Sequence, residues 1–181
     1  MEKKITKLIS LLDKAYPDAR TALRFKDPLQ LLVSTILSAQ CTDARVNIVT
    51  ETLFKKYRTA ADYARADIPE FERDIRSTGF YHNKAKNIIA AARMIARDFA
   101  GRVPQTMEEM VRLPGVARKT ANVVLYNAFG RIEGIAVDTH VKRLSQRLGL
   151  SCHDDPAKIE QDLMRLIDKK LWGHITHLLI E

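Results

Sequence analysis

The stretch Leu113–Ala121, with the sequence LPGVARKTA, decides the fold that we predict for this chain. Apolar residues recur at helical spacing on both sides of it, which predicts helices over Thr106–Leu113 and Ala117–Phe129. Between them, Gly115 permits a turn that a side chain would obstruct. The turn presents backbone N–H groups at a helix N-terminus, where the helix dipole also attracts anions. A Pro-Gly turn alone is typical of many helical proteins, but the whole run LPGVxxxTAxxV favours nucleic-acid binding.

The charge of the chain points to the same kind of partner. The 181 residues include 30 lysines and arginines against 22 aspartates and glutamates, a formal net charge of +8. This balance attracts nucleic acid first and anionic membranes second. No apolar run approaches the roughly 20 residues that span a bilayer, and the N-terminus lacks the apolar stretch of a signal peptide. We therefore expect a monomeric cytoplasmic protein that associates with nucleoid DNA and not with membranes.

The remaining sequence predicts an all-α fold of helices joined by short turns. Glycine (7) and proline (6) are sparse, and apolar residues recur at helical spacing almost throughout. A first helix is expected to carry Ile5, Leu8, Ile9 and Leu12 on one face and to be ended by Pro17. Further helices are expected to begin after Asp27 and after Thr42 or Asp43, and to cover Thr59–Arg65, Pro69–Ser77, Asn83–Phe99, Thr139–Leu148, Pro156–Lys169 and Leu171–Glu181. Residues 132–137 are compatible with a short extended segment. No capping residue closes the last helix, so either it frays or the natural chain continues beyond Glu181.

Four blocks of sequence resemble the endonuclease III family of helix-hairpin-helix DNA glycosylases. They are ILSAQCTDARVN (36–47), STGFYHNKAKNI (77–88), LPGVARKTANVVLYNAFG (113–130) and IAVDTHVKRLSQRLGL (135–150). One departure is Ala117, where the hairpin motif often has a second glycine. The resemblance implies two helical domains with a DNA-binding cleft between them, one spanning 21–130 and the other 1–20 plus 131–181. Its implied partner is double-stranded DNA with a damaged base or an abasic site.

The resemblance places a nucleophile at Lys119 and a catalytic carboxylate at Asp138. A glycosylase that also cuts the strand needs an amine to attack the sugar C1′ and form a Schiff base, from which elimination expels the 3′ phosphate. Only a neutral amine attacks, and an ordinary lysine is neutral in roughly 1 molecule in 2,500 at pH 7. Arg118, the helix N-terminus and desolvation by DNA would favour the neutral form. From the residues alone, Lys119 is more typical of a phosphate contact than of a nucleophile. Asp138 is more typical of a helix N-cap, a role that is compatible with catalysis.

The resemblance also indicates which residues contact DNA. The target base lies inside a stacked duplex and must be flipped out, which leaves a gap to be filled. Gln40 matches a polar residue inserted beside the orphan base, and Phe80 matches an intercalating wedge. His140 would position a phosphate or support its loop. The residues expected at the DNA interface are Gln40, Phe80, Gly115, Val116, Ala117, Arg118 and His140.

No metal site or cofactor is expected in this chain. In the family, the last helix usually runs into a segment whose four cysteines hold a 4Fe–4S cluster, and Cys41 and Cys152 do not match it. A cluster is expected only if the natural protein continues past Glu181 with four cysteines. His174 and His177, three residues apart, have too few further ligands nearby.

The activity indicated by the resemblance is base-excision repair: removal of oxidised pyrimidines by a bifunctional DNA N-glycosylase, with AP-lyase strand cleavage by β-elimination. Two alternatives stay open. One is a non-enzymatic helix-hairpin-helix DNA-binding module. The other is a sister glycosylase for mismatched bases or pyrimidine dimers.

Overall fold

A computed structural model describes the backbone of residues 2–180 and the side chains of residues 5–180, and its architecture is all-α. No strand is present in that range, and no helix there is long and apolar enough to cross a membrane. The helices are α1 (Glu2–Ala15), α2 (Pro28–Leu37), α3 (Asp43–Lys56), α4 (Ala60–Ala64), α5 (Ile68–Ile75), α6 (Tyr81–Asp98), α7 (Met107–Met110), α8 (Arg118–Phe129), α9 (Thr139–Arg147), α10 (Pro156–Leu166) and α11 (Trp172–Leu178), with 3₁₀ turns at Arg76–Thr78 and Lys169–Leu171.

The predicted helix starts follow local capping chemistry. The Asp27 carboxylate accepts a hydrogen bond of 2.9 Å from the Gln30 N–H, with Pro28 at the first position of α2. Thr59 caps α4 and is bonded reciprocally by Asp62. Of the two candidate caps before α3, the structure selects Thr42, whose hydroxyl accepts from the backbone of the third helical residue.

Three predicted helices are shorter in the structure by three residues or more. Thr106–Leu113 contains only the single turn α7, because Pro114 disfavours helical geometry in the residue before it. Pro156–Lys169 ends at Leu166, where Ile167 turns extended and buries its side chain. The last helix closes at Leu178 instead of continuing to Glu181, which lies outside the described residues. The segment 132–137 forms no strand.

The chain divides into two compact units, and the division falls within α8. One unit is Ala22–Val124, and the other joins the residues up to Thr21 to those from Leu125 onward. We call them the hairpin unit and the terminal unit. The predicted domain bounds, 21–130 and 1–20 plus 131–181, and the cleft between the domains stay predictions.

The hairpin unit is built around α2 and α6. Every side chain from Leu31 to Leu37 is buried, as expected for an uncharged apolar run. The helices α4 and α5 pack against α6. Nearby, the Tyr63 ring stacks on Tyr57 with centroids 5.2 Å apart and meets Phe71 edge-on at 5.9 Å.

The terminal unit has its own apolar core, to which α1, α9, α10, α11 and the segment before α9 contribute. Ile135 and Val137 belong to it and lie immediately before Asp138. Trp172 packs on the same core, and its indole N–H donates to the Ile167 carbonyl at 2.8 Å. His174 and Asp13 pair at 2.8 Å.

Candidate active site and nucleic-acid interface

The hairpin turn is held tightly against α6. The Val116 N–H donates to the Leu113 carbonyl at 3.1 Å, which closes a four-residue turn with Pro114 in its second place. Gly115 has φ +78°, as the third place of a type II turn requires. A Cβ built on Gly115 would lie 2.7 Å from the Cβ of Asn87, so the turn admits no side chain there. Both conformation and packing therefore demand glycine.

The turn delivers an exposed basic run into the first turn of α8. Val116 is buried and anchors the turn, while Ala117, Arg118 and Lys119 are exposed. The first N–H groups of an α-helix have no acceptor within the helix, and the positive end of the dipole lies beside them. A phosphate could therefore bind the backbone while the lysine reaches beyond it.

Asp43, a candidate helix cap in the sequence, also interacts electrostatically with Lys119. Asp43 is the half-buried first residue of α3, three positions after Gln40. Burial raises the pKa of the Asp43 carboxyl above its ordinary value, and the Lys119 ammonium opposes that rise. An acidic group from α3 is therefore within electrostatic range of the hairpin lysine.

Asp138 is half-buried and caps α9. Its Oδ1 accepts from the Val141 N–H at 2.8 Å, and its carbonyl accepts from the Lys142 N–H at 2.8 Å. The preceding segment is anchored as well, because the Ile135 N–H donates to Glu160 and the Thr176 hydroxyl donates to the Ala136 carbonyl. The expected N-cap role is confirmed by these bonds, and its catalytic role stays a prediction.

Phe80 projects into solvent from a strained turn. Its side chain is 63% exposed, the largest exposed fraction among the large apolar residues described. Gly79 and Phe80 have φ of +70° and +48°, so two successive residues adopt conformations that side chains disfavour. Such strain in a non-glycine residue persists where the surroundings enforce it. The geometry suits an apolar wedge.

Gln40 shares this backbone conformation. It lies between α2 and α3 with φ +53° and is exposed. The turn is closed by a hydrogen bond of 3.1 Å from the Cys41 N–H to the Ser38 carbonyl. Among residues 2–180, the non-glycine residues with positive φ are Gln40, Phe80 and Ala100. Two of these three are the residues predicted to enter the duplex.

Lys84 is buried, although its sequence pattern does not predict it. Only 5% of the residue is exposed, and its Nζ donates to the carbonyls of Leu37 at 2.7 Å and Thr78 at 2.8 Å. Leu37 ends α2, before the turn with Gln40, and Thr78 ends the 3₁₀ turn before Gly79 and Phe80. One ammonium group therefore joins the bases of both loops.

His140 is exposed in the first turn of α9, with its Nδ1 3.4 Å from the Arg143 guanidinium. The ring is accessible to a ligand. The phosphate contact expected for His140 stays a prediction. His177 is buried with its Nε2 3.1 Å from the Asn127 amide oxygen.

A family model described as HhH-GPD superfamily base excision DNA repair protein matches residues 33–169, more than half of the chain. Endonuclease III of Synechocystis is 57% identical over 175 residues, which cover 97% of this chain and 80% of that protein. The chain belongs to the endonuclease III family. The family placement makes it a base-excision repair DNA glycosylase and AP lyase.

Other members of the endonuclease III family support the placement. The Bacillus subtilis protein is 47% identical, with 98% of this chain and 81% of that protein covered. A solved trapped endonuclease III–DNA covalent intermediate has a TM-score of 0.95 and 46% identity over 99% of this chain and 84% of that one. A thermostable thymine-DNA glycosylase, at 23% identity and a TM-score of 0.84 over 98% of this chain and 85% of that one, shares the fold.

The residues of this chain do not fit the 4Fe–4S cluster associated with the endonuclease III family. Such a cluster is held by four cysteine thiolates. The sequence has two, the half-buried Cys41 in the hairpin unit and the exposed Cys152 in the terminal unit. Within the described side chains, no three His, Cys, Asp or Glu residues are grouped to hold a metal ion.

Proposed function

We propose that this chain removes oxidised pyrimidines from double-stranded DNA and cleaves the strand, with Lys119 as nucleophile and Asp138 as the assisting carboxylate. The observation that carries the proposal is the exposed lysine in the first helical turn after a Pro-Gly turn that admits no side chain. We place this activity in the cytoplasm, where bacterial chromosomal DNA lies.

The chemistry needs an amine that forms and then releases a covalent bond. Neutral Lys119 Nζ attacks C1′, the C1′–N bond breaks, and the base leaves with the bonding electrons and takes up a proton. Ring opening at O4′ gives an iminium between Nζ and C1′. This iminium acidifies the C2′ proton, whose loss breaks the C3′–O bond and expels the 3′ phosphate. Water then hydrolyses the iminium and restores the lysine.

Two carboxylates assist different steps of this reaction. Asp138 has a fixed direction because its Oδ1 caps α9, so it can stabilise positive charge on the sugar ring and accept a proton from the attacking amine. Asp43 attracts the Lys119 ammonium electrostatically before DNA binds, without forming a direct ion pair with it.

The exposed turns supply access to the base. We assign Phe80 as an apolar wedge and Gln40 as the polar group beside the orphan base, because both project from turns with positive φ. Gly115 and Ala117 bind a phosphate through their backbone N–H groups and Arg118 adds charge, while Val116 anchors the turn that presents them. His140 contacts another phosphate.

The deciding experiment compares four duplexes that carry thymine glycol, an abasic site, a T·G mismatch or a pyrimidine dimer. We expect strand cleavage at thymine glycol and at the abasic site, with borohydride trapping a protein–DNA adduct on both. Cleavage confined to the mismatch or the dimer would replace the substrate assignment. Binding without cleavage or trapping on any duplex would favour the non-enzymatic module.

A further inference from the structure

The turns that carry Gln40 and Phe80 are far apart in sequence but share one buried cation. Lys84 lies in the first turn of α6, and its Nζ donates to two backbone carbonyls outside that turn. One belongs to Leu37 at the end of α2, and the other belongs to Thr78 in the 3₁₀ turn before α6. The bond to Leu37 spans 47 residues and the bond to Thr78 spans six. No other described lysine is buried.

We infer that Lys84 is a positioning residue for DNA insertion, because it fixes the bases of the Gln40 turn and the Phe80 turn relative to each other. We call Lys84 with the carbonyls of Leu37 and Thr78 the loop clamp. The inference rests on the proposed insertion roles of Gln40 and Phe80.

Burying an ammonium group costs free energy, so a buried lysine at this position calls for an explanation. A buried charge is tolerated when it is hydrogen-bonded, and hydrogen bonds from a charged donor are stronger than neutral ones. Burial lowers the pKa of Lys84 below its ordinary value. An apolar side chain would avoid this desolvation, but it would leave the two carbonyls without their donor.

Both turns contain backbone strain that needs such support. Gln40, Gly79 and Phe80 have φ of +53°, +70° and +48°. Residues in these conformations relax unless their surroundings hold them. The clamp bonds lie at Leu37, three residues before Gln40, and at Thr78, two residues before Phe80. The Thr78 hydroxyl adds a bond of 2.8 Å to the Ile75 carbonyl, which holds the same turn from its other side.

The test uses Lys84→Met, which keeps a long unbranched side chain and removes the donors. Amide hydrogen exchange in the DNA-free protein should increase in both turns, at residues 38–41 and at residues 78–80. Single-turnover excision of thymine glycol should fall about tenfold, within the range of coupling energies for residues in one network. Ile89→Val, another change at a buried site of α6, is the control and should leave exchange in both turns and excision unchanged.

A double-mutant cycle separates positioning from loss of stability. In a Gln40→Ala/Phe80→Ala background, Lys84→Met should lower excision less than about twofold further, because the residues that the clamp positions are already absent. An equal fold-loss in both backgrounds, or unchanged exchange in either turn, would overturn the inference. If Lys84→Met does not fold, Lys84→Gln is judged by the same two measurements.

The result also separates this inference from the proposed function. Wild-type excision by the Gln40→Ala/Phe80→Ala protein itself would overturn the insertion roles and, with them, positioning for insertion. Impaired excision by that protein together with unchanged exchange in Lys84→Met would overturn the clamp alone.

Discussion

The two groups assigned to catalysis are held by opposite means. Lys119 is exposed, and it is the backbone beneath it that is fixed, through a turn pressed against Asn87. Asp138 is half-buried, and its own side chain is fixed by the bond that caps α9. A nucleophilic side chain must move to bond with C1′ and later release it, whereas a carboxylate that stabilises charge must be preorganised. A fixed backbone with a mobile side chain therefore suits the nucleophile, whereas a fixed side chain suits the carboxylate that stabilises charge.

We expect the largest effect on activity when the Lys119 amine is removed. Lys119→Ala should abolish borohydride trapping and lower strand cleavage at an abasic site by at least about a thousandfold, because no amine remains to form the Schiff base. Affinity for undamaged duplex should change far less. Lys55→Ala, which removes an exposed lysine of α3, is the matched control and should trap normally. An adduct at wild-type yield in Lys119→Ala would assign the nucleophile elsewhere.

The next effect separates the two roles of Asp138. Asn caps helices about as well as Asp, so Asp138→Asn should preserve stability while single-turnover excision falls about 10²- to 10³-fold. Asp155 caps α10 in the same unit by accepting from the Ala157 and Lys158 N–H groups, and Asp155→Asn is the control. Excision rates that are the same in both variants would leave Asp138 as a cap and nothing more.

A smaller effect tests whether the hairpin backbone needs its close packing. Gly115→Ala places a methyl group in a positive-φ conformation and against Asn87, and we expect it to lower the free energy of unfolding by about 2–3 kcal/mol. Gly101→Ala has nearly the same φ, +77°, with no atom within 4 Å of its Cβ, and should cost about 1–2 kcal/mol. Denaturant titrations followed by circular dichroism give both values. Equal costs would show that the contact with Asn87 adds nothing.

The smallest effect concerns the terminal unit and pH. Burial, and then the neighbouring His174, lower the pKa of His177 below its usual 6.5. The unfolded chain therefore binds this proton more readily, so stability is lost as pH falls below about 6.5 and through the window down to the folded pKa. The slope should stay below about 1.4 kcal/mol per pH unit for one proton. His177→Gln should flatten this slope in denaturant titrations repeated between pH 7.5 and 5, and an unchanged slope in that variant would contradict the assignment.

Rules that act within a few residues predicted much of this molecule. Asp27, Thr59 and Asp138 are followed by helices, and each accepts the expected backbone hydrogen bond. The glycine at 115 follows from turn chemistry. The predicted length of the helix before it was wrong, because apolar spacing continues through Val111 and Leu113 although Pro114 stops the helical backbone earlier.

Contacts between distant segments could not be predicted in this way. Lys84 looks like an ordinary helical lysine, since its burial depends on two carbonyls supplied by other elements. Asp43 appeared as a capping candidate, and its electrostatic interaction with Lys119 joins two distant segments of the hairpin unit. Both residues lie within the blocks that resemble endonuclease III, but the sequence pattern around them does not predict these interactions.

The position of Trp172 has a practical consequence for spectroscopy. It is the single tryptophan of the chain, and it packs on the core of the terminal unit. Its fluorescence emission therefore reports the local environment of that unit, while the stacked Tyr57 and Tyr63 belong to the hairpin unit. Melting curves recorded by tryptophan emission and by far-ultraviolet dichroism should superimpose if the chain unfolds in one step, and separate if one unit unfolds first.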